Sequence, residues 1–479
     1  MRWPWRRQPE KPACHAMMLR AKFDSAQTTP DNRRHWANAD YLSADQASSV
    51  NVRRILRSRA RYEVANNSYA RGIVLTLAND CIGTGPRLQM LTDNAEINRQ
   101  VEAHFAAWAK AVDLPGKLRT MRMARATDGE AFAVLFSNGS LKTAVNLDIR
   151  LIEADQVTTP DLLLARDTTV DGIVLDAFGN PHEYHILRRH PGSGMAALTA
   201  EYDRVDAEAV IHCFRTDRPG QHRGLPDILP ALPLFAQLRR YTSAVILAAE
   251  SAANLAVVMK TNAPAGGDAA EVEPMTTMEF EPNMAIFTPE GWEPSQIKAE
   301  QPATTYDMFK REILNEIARC LNMPYNIAAC NSSGYNYASG RLDHQTYYKS
   351  IRVEQSHIEA VVLDRIFAAW LEEAVRVLPL GHLADGPHQW FWDGHEHVDP
   401  AKEATAQEKR LANNTTTLAH EFARAGKDWE VELRQRAKEV ALMKELGLTQ
   451  SEALPTPQES SEEQNNEREK QDERKAKAA

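Results

Sequence analysis

Four groups of residues in this chain have the types and spacing to do chemistry. His395-Glu396-His397 stands between Asp393 and Asp399 with His382 and His388 upstream, and imidazoles beside carboxylates are the donors of a divalent-metal site. The spacing argues against that use, because histidines two apart point to opposite sides of a strand, and a solvated loop before an Asp399 helix cap is the plainer expectation. No metal is therefore expected. Arg53, Arg54, Arg57, Arg59 and Arg61 crowd one short stretch. They could contact phosphates or form a solvated helix face or a protein contact, and the lack of an interleaved aromatic platform favours the second. Trp3-Trp5-Arg6-Arg7 could touch a partner or a membrane surface, or belong to a disordered tail. Asn331-Ser332-Ser333-Gly334-Tyr335-Asn336-Tyr337-Ala338-Ser339-Gly340 is small, polar and aromatic, and longer than two packed helices need for their connection. It is a functional loop or an ordinary helix connection.

The motifs of several enzyme classes are missing. Gly116-Lys117 and Gly426-Lys427 each lack the upstream glycine and the following hydroxyl of a phosphate loop. No G-x-G-x-x-G surrounds Gly83 and no G-x-S-x-G surrounds Ser193. A packaging ATPase or nuclease would need a phosphate loop or clustered carboxylates for metal. The chain is expected to have no catalytic residue and no cofactor, and not to be an enzyme.

At 479 residues and 43% apolar content the chain can build more than one core. Cys14, Cys81, Cys213, Cys320 and Cys330 are odd in number, far apart and without a C-x-x-C pair, which argues against a disulfide framework or a zinc ribbon and suits a reducing cytoplasm. The basic start runs into Gln8-Pro9-Glu10 rather than an apolar stretch, so no secretory signal is expected. Thr242 to Val258 is broken by Glu250 and Asn254, so no membrane span is expected either. Residues 1–71 carry 14 Lys/Arg against 6 Asp/Glu, or +8, which leaves −17 of the net −9 for the remainder. The two parts face different electrostatic company.

The elements that position these groups follow from periodicity. Residues 1–40 read as a flexible basic arm. A basic helix is expected from Ala44 to Ala65, broken at Asn66-Asn67-Ser68, then a helix with Ile73, Leu77 and Cys81 inward and stopped by Gly83-Thr84-Gly85-Pro86, then one with Ile97, Val101, Phe105 and Trp108 inward. The period changes to two from Phe132. Hairpins turn at Ser137-Asn138-Gly139-Ser140 and Gly179-Asn180-Pro181, and Ala209 to Phe214 adds a strand. Beyond Gly224 the pattern is helical: Asp227 to Leu255 rich in alanine, Thr305 to Leu321 with Phe309, Ile313 and Ile317 on one face, and Ser339 to Val377, so poorly punctuated that it reads as spanning an assembly. Between the first two lies Lys260 to Pro302, with a strand signal at Ala285-Ile286-Phe287. Asp399-Pro400 opens a further helix, Gly426 and Gly447 look like helix ends, and 449–479 is expected to be disordered.

Several of these stretches, in this order, resemble the lambda-type phage portal proteins. Asn67-Ser68-Tyr69-Ala70 through Gly83-Thr84-Gly85 is similar to that family's entry, and Arg218-Pro219-Gly220-Gln221-His222-Arg223-Gly224-Leu225-Pro226 with the alanine-rich helix after it is similar to its most recognisable stretch. So are Tyr337-Ala338-Ser339-Gly340-Arg341, Trp370-Leu371-Glu372-Glu373-Ala374-Val375, and Trp392-Asp393-Gly394 with Val398-Asp399-Pro400-Ala401-Lys402-Glu403. The resemblance covers about residues 40 to 445. It implies an α+β portal fold with a mixed wing (40–222, returning at 380–398), a helical stem (223–256 and 304–322), a small clip (257–303), a channel loop (323–338), a long helix (339–379) and a helical crown (399–448), assembling into a dodecameric ring. It also implies a virion vertex protein, or head-tail connector, assembled in a bacterial cytoplasm. Its partners would be double-stranded DNA passing without sequence readout, the terminase large subunit, the major capsid protein and connector or adaptor proteins, with no membrane. Asn331, Ser332, Ser333, Tyr335, Asn336 and Tyr337 are the expected DNA-facing residues, and Tyr241, Ala248, Ala249 and Ala252 the expected packing residues between subunits. A packaging enzyme and a helical adaptor without a channel are the rival readings.

Overall fold

Short side chains that can accept backbone N–H groups set the first elements. In the computed structural model, which describes residues 29–159, 169–193, 201–254, 258–261, 292–295, 303–380, 386–394 and 400–448, Ser43 caps α1 (Ala44–Ala47). The basic stretch continues as α2 (Val50–Asn66). The break falls where expected, because the Asn67 side chain accepts from the amides of Tyr69 and Ala70 and starts α3 (Ser68–Ile82). That helix ends at Gly83, whose φ of +57° and closeness to the Asp393 carboxylate leave no room for a Cβ. β1 (Arg87–Met90) and α4 (Ala95–Ala111) follow. Next comes α5 (Leu114–Asp128), a helix the periodicity did not announce. Its inward face mixes Leu114, Leu118 and Met121 with Arg122, Arg125 and Asp128, so buried charge hides the apolar repeat.

The expected hairpin is β2 (Glu130–Ser137) against β3 (Leu147–Ile152). A second sheet orders β4 (Thr169–Val170), β5 (Ile173–Leu175), β6 (Pro181–Leu187) and β7 (Tyr202–Asp206) consecutively. β8 (Val210–Phe214) pairs antiparallel with β2, setting Phe132 opposite His212. The helical half begins with α6 (Leu232–Asn254), then the two-stranded ladder β9 (Val258–Thr261) and β10 (Trp292–Ser295), α7 (Ala303–Arg319) and the one-turn α8 (Tyr325–Ala328). The strand signal at 285–287 lies outside the described residues.

The long helix is α9 (Tyr337–Ile358), a π-helical turn (Glu359–Leu363) and α10 (Asp364–Val377). Its length does not serve an assembly along its whole course. Ile366, Phe367, Trp370, Leu371 and Ala374 recur on one face of α10 and are buried in the chain's own core. There Phe105 sits 5.3 Å from Trp370, 5.7 Å from Phe367 and 5.6 Å from Trp390 between ring centroids. Trp390 arrives on β11 (His388–Phe391), which returns to pair with β1. α11 (Pro400–Ala412), α12 (Leu418–Arg424) and α13 (Trp429–Glu445) complete the chain. Gly426 and Gly447 close the last two helices with φ of +71° and +68°. A second core joins α3, α6, α7 and α9 around Phe235, Leu314, Ile317 and Tyr347. Phe309 departs from expectation: it is 48% exposed and packs edge-on against Tyr241 at 4.7 Å.

Candidate functional site

The loop singled out in the sequence is held by its own polar groups. Met323-Pro324 ends the turn after α7, and α8 occupies the first part of the stretch expected to be loop. Cys330 and Gly334 then take φ of +52° and +84° to reverse the chain. The Asn331 side chain accepts from the Ser333 amide at 2.9 Å, and the Asn336 side chain caps α9 by accepting from Ser339 N at 2.8 Å and Ser339 Oγ at 3.0 Å. The two asparagine oxygens are committed to loop geometry, so the Nδ2 amides are the groups a phosphate oxygen would accept from. Ser332 and Ser333 are exposed, Tyr335 is half-buried, and Tyr337 is the first residue of α9. A cation lies beside the loop that the linear segment did not contain. Arg311 on α7 approaches to 3.8 Å of the place a Cβ on Gly334 would take, and its guanidinium covers the Tyr325 ring at 5.2 Å. Only the pairing of α7 with α8 reveals it.

α6 divides its two sides between different neighbours. Tyr241 stacks on Tyr306 of α7 at 5.6 Å, and Thr242 Oγ1 meets the Tyr306 hydroxyl at 3.3 Å. Tyr241 thus makes its ring contacts within its own chain, and its part-exposed side lines the open groove between α2 and α6. Ile246 and Leu247 are 52% and 63% exposed, Ala248 is exposed and Ala249 half-buried, whereas Ala252 lies on α6 with its side chain outside the described residues.

The stretch Arg218 to Pro226 is the anchor that fixes where α6 starts. Arg223 is fully buried and donates to Glu130 from Nε and Nη2 at 2.7–3.0 Å, to Asp171 Oδ2 at 2.9 Å, and to the carbonyls of Val157 and Ala154. Glu130 also takes Arg57, His212 Nε2 at 3.0 Å and the Gly224 amide at 3.0 Å. Burial alone would raise the Glu130 carboxyl, but Arg223, Arg57 and His212 outweigh it and hold it well below the usual carboxylate range. Burial lowers His212 despite the Glu130 contact, so the ring is neutral near pH 7. A Cβ at Gly224 would collide with the Gly129 carbonyl, and one at Gly129 with the Leu225 backbone, so this joint is a contact of backbone on backbone. Deeper in, Asp227 pairs with Arg122 at 2.9 Å and Glu354 with Arg125 at 2.7 Å, tying α5 and α9 to the same anchor.

The arginine cluster resolves the same way. Arg53 pairs with Asp171, Arg57 with Glu130 and Asp155, and Arg61 with Asp128 and Asp155. The expected solvated face is thus corrected for Arg53, Arg57 and Arg61, which make ion pairs within the chain, while Arg54 and Arg59 face outward. His382, His395, Glu396, His397 and Asp399 lie outside the described residues. Asp393 is engaged by Thr84 and Arg87. Glu153, Asp155 and His190 bring ligand atoms within 4.8 Å of one another, but Arg61 occupies their carboxylates. Among the described residues no helix is long and apolar enough to cross a membrane.

The model of the lambda family of phage portal proteins matches residues 30–355, from the arginine-bearing α2 through the anchor, α6 and α7 to most of α9. This chain belongs to that family. It is 24% identical over 472 residues to the probable portal protein of Halomonas phage phiHAP-1, covering 92% of this chain and 90% of that protein. Among solved structures it resembles a chain in the neck of an empty gene transfer agent particle computed with C6 symmetry, at 12% identity, TM-score 0.47, and 77% and 92% of the two chains. A neck computed with C12 symmetry matches at 13% identity and TM-score 0.45 over the same shares. As a phage portal protein the chain falls with virion head-tail connectors and DNA packaging.

Proposed function

We propose that this portal protein forms a closed dodecameric ring at a capsid vertex, through which double-stranded DNA is packaged, retained and ejected. In this reading 40–222 with 380–398 is the wing, α6 and α7 the stem, 257–303 the clip, 323–338 the channel loop, 339–379 the long helix and 399–448 the crown. The terminase large subunit, the major capsid protein and connector proteins dock on it, and its role is structural rather than catalytic. α6 carries the reading: it is fixed at its base by a buried ion cluster, yet its second half presents Ile246, Leu247 and Ala248 that its own chain leaves exposed. Head-to-tail contacts between identical chains close only with cyclic symmetry. The acidic remainder supports it too, since a channel lined by fixed cations would hold DNA by counterion release, whereas weak walls let it slide. Light scattering with negative-stain imaging tests the proposal. Rings of many 53.7 kDa chains with a central hole are expected, and a single-chain mass across concentration and salt refutes it.

A further inference from the structure

Three distant stretches of chain meet at one joint. A Cβ on Gly394 would strike the Ala425 backbone at 2.6 Å, and one on Gly426 would strike the Gly394 nitrogen and the Trp392 carbonyl at 2.6 Å. The turn between α12 and α13 therefore lies backbone on backbone against the stretch after β11. Asp393 ties that stretch to the end of α3 through Thr84 Oγ1 at 2.8 Å and Arg87 at 3.0 Å. Asp428 caps α13 by accepting from the Glu430 and Val431 amides at 2.8 and 3.2 Å, and it also accepts from Gln89 Nε2 on β1 at 2.7 Å. Gln89 is buried and takes Gln389 of β11 in turn. One residue on, the Met90 amide donates to Glu102 of α4 at 2.7 Å. Beyond the joint α13 has no buried residue, and Val431, Leu442 and Leu446 are exposed, so its first turn is what fixes it to the α4 side.

The joint is unbalanced in charge. Glu102 is half-buried and faces Asp428 and Glu430 of α13. Burial raises its carboxyl above the usual range, and those two carboxylates add to the rise against the pull of the Met90 hydrogen bond. The cations of the flanking segments are engaged: Arg99 by Glu96, Arg87 by Asp393, His388 by Asp364, Lys427 by Glu432 and Arg434 by Glu430. Asp393 behaves differently. Burial alone would raise it, but Thr84 and Arg87 outweigh that and hold it below its ordinary range, so it stays charged while Glu102 titrates.

We propose that α13 is a proton-sensitive arm, seated on α4, β1 and β11 when Glu102 is protonated and loosened when Glu102 is charged. A seated Glu102 binds its proton more tightly than one in water, so seating is fully present below the ordinary carboxylate range and is lost as pH rises through the raised value. The rest of the chain responds with the opposite sign, since Glu130 and His212 bind protons more weakly when folded. That difference separates movement of the arm from global unfolding.

Hydrogen exchange over residues 424–432 of the full chain, read by mass spectrometry and corrected for intrinsic exchange, tests this at about pH 7.5 and about pH 5.5. Protection in the parent should rise by about threefold or more at the lower pH. Glu102→Gln keeps an oxygen for the Met90 amide and removes the charge, so it should show the acid-side protection at both pH values. Glu430→Gln should shrink the response and leave the Asp428 cap in place. A parent whose protection stays level or falls on acidification overturns the proposal without recourse to any variant. A Glu102→Gln chain that keeps the parent's response overturns it too, and one loosened at both pH values does the same by showing Glu102 to be a structural acceptor only.

Discussion

Arg223→Ala should be among the most damaging single changes outside the aromatic core. The guanidinium has no exposed surface and satisfies Glu130, Asp171 and two carbonyls. Removing it leaves Glu130 buried with Arg57 and His212 as its remaining charged or ionisable partners. Breaking a buried pair on one side costs about 3–5 kcal/mol, because the other charge stays desolvated. With a urea dependence of roughly 2–3 kcal/mol per molar, the midpoint should fall by about 1–2 M. Urea titrations followed by circular dichroism at one protein concentration measure this. The control is Arg223→Met with Glu130→Gln, which removes both charges and should cost about 1 kcal/mol or more less than the two single changes summed. An Arg223→Ala midpoint within about 0.3 M of the parent would refute the view that this cluster anchors α6.

Gly224→Ala should destabilise the chain strongly, since the neighbour is the Gly129 carbonyl rather than a movable side chain; melting temperature reads it, and a parent-like value contradicts the joint. Stability should fall on acidification. Glu130 and His212 both bind protons more weakly folded than unfolded, so the unfolded chain takes up more protons and stability is present above their ordinary ranges and lost as pH drops through them. Urea midpoints at pH 7.5 and about pH 5 check the sign, the window opening near the ordinary histidine value of about 6.5. Replacing 331–335 by a Gly-Ser linker while keeping the Asn336 cap should leave assembly intact and reduce DNA packaging or retention; a variant that packages and retains DNA like the parent removes the loop from that role.

What the sequence made legible depended on whether the inward face was apolar. α3 and α4 were readable because Ile73, Leu77, Cys81, Val101, Phe105 and Trp108 recur at helical spacing and are all buried. The hairpins were readable from period two, and the second also from its Gly-Asn turn, whereas the first is connected through residues 138–146 rather than by the four residues Ser137 to Ser140. α5 was not, because Arg122, Arg125 and Asp128 take inward positions. α2 misled for the same reason, its arginines looking like a solvated face until Glu130 on β2 and Asp155 and Asp171 in turns of the sheet region meet them. In the loop, composition identified the segment. It could not separate the asparagine oxygens that build the turn and cap from the serines left free, nor bring Arg311 beside Gly334.

The aromatic core closes late in the life of each chain. Phe105 and Trp108 wait for Phe367, Trp370 and Trp390, and β1 waits for β11. Roughly 260–300 residues must leave the ribosome between the first and second half of that core, which at ~5–20 residues per second is about 15–60 s with indole and phenyl rings unburied. Nascent forms therefore carry unburied aromatic surface, the condition that favours aggregation, before any copy is ready to join another. Pairing across so much sequence also slows folding after release. The core is complete only once residues 367–391 have been made, since they bring the strand and the rings that β1 and α4 need.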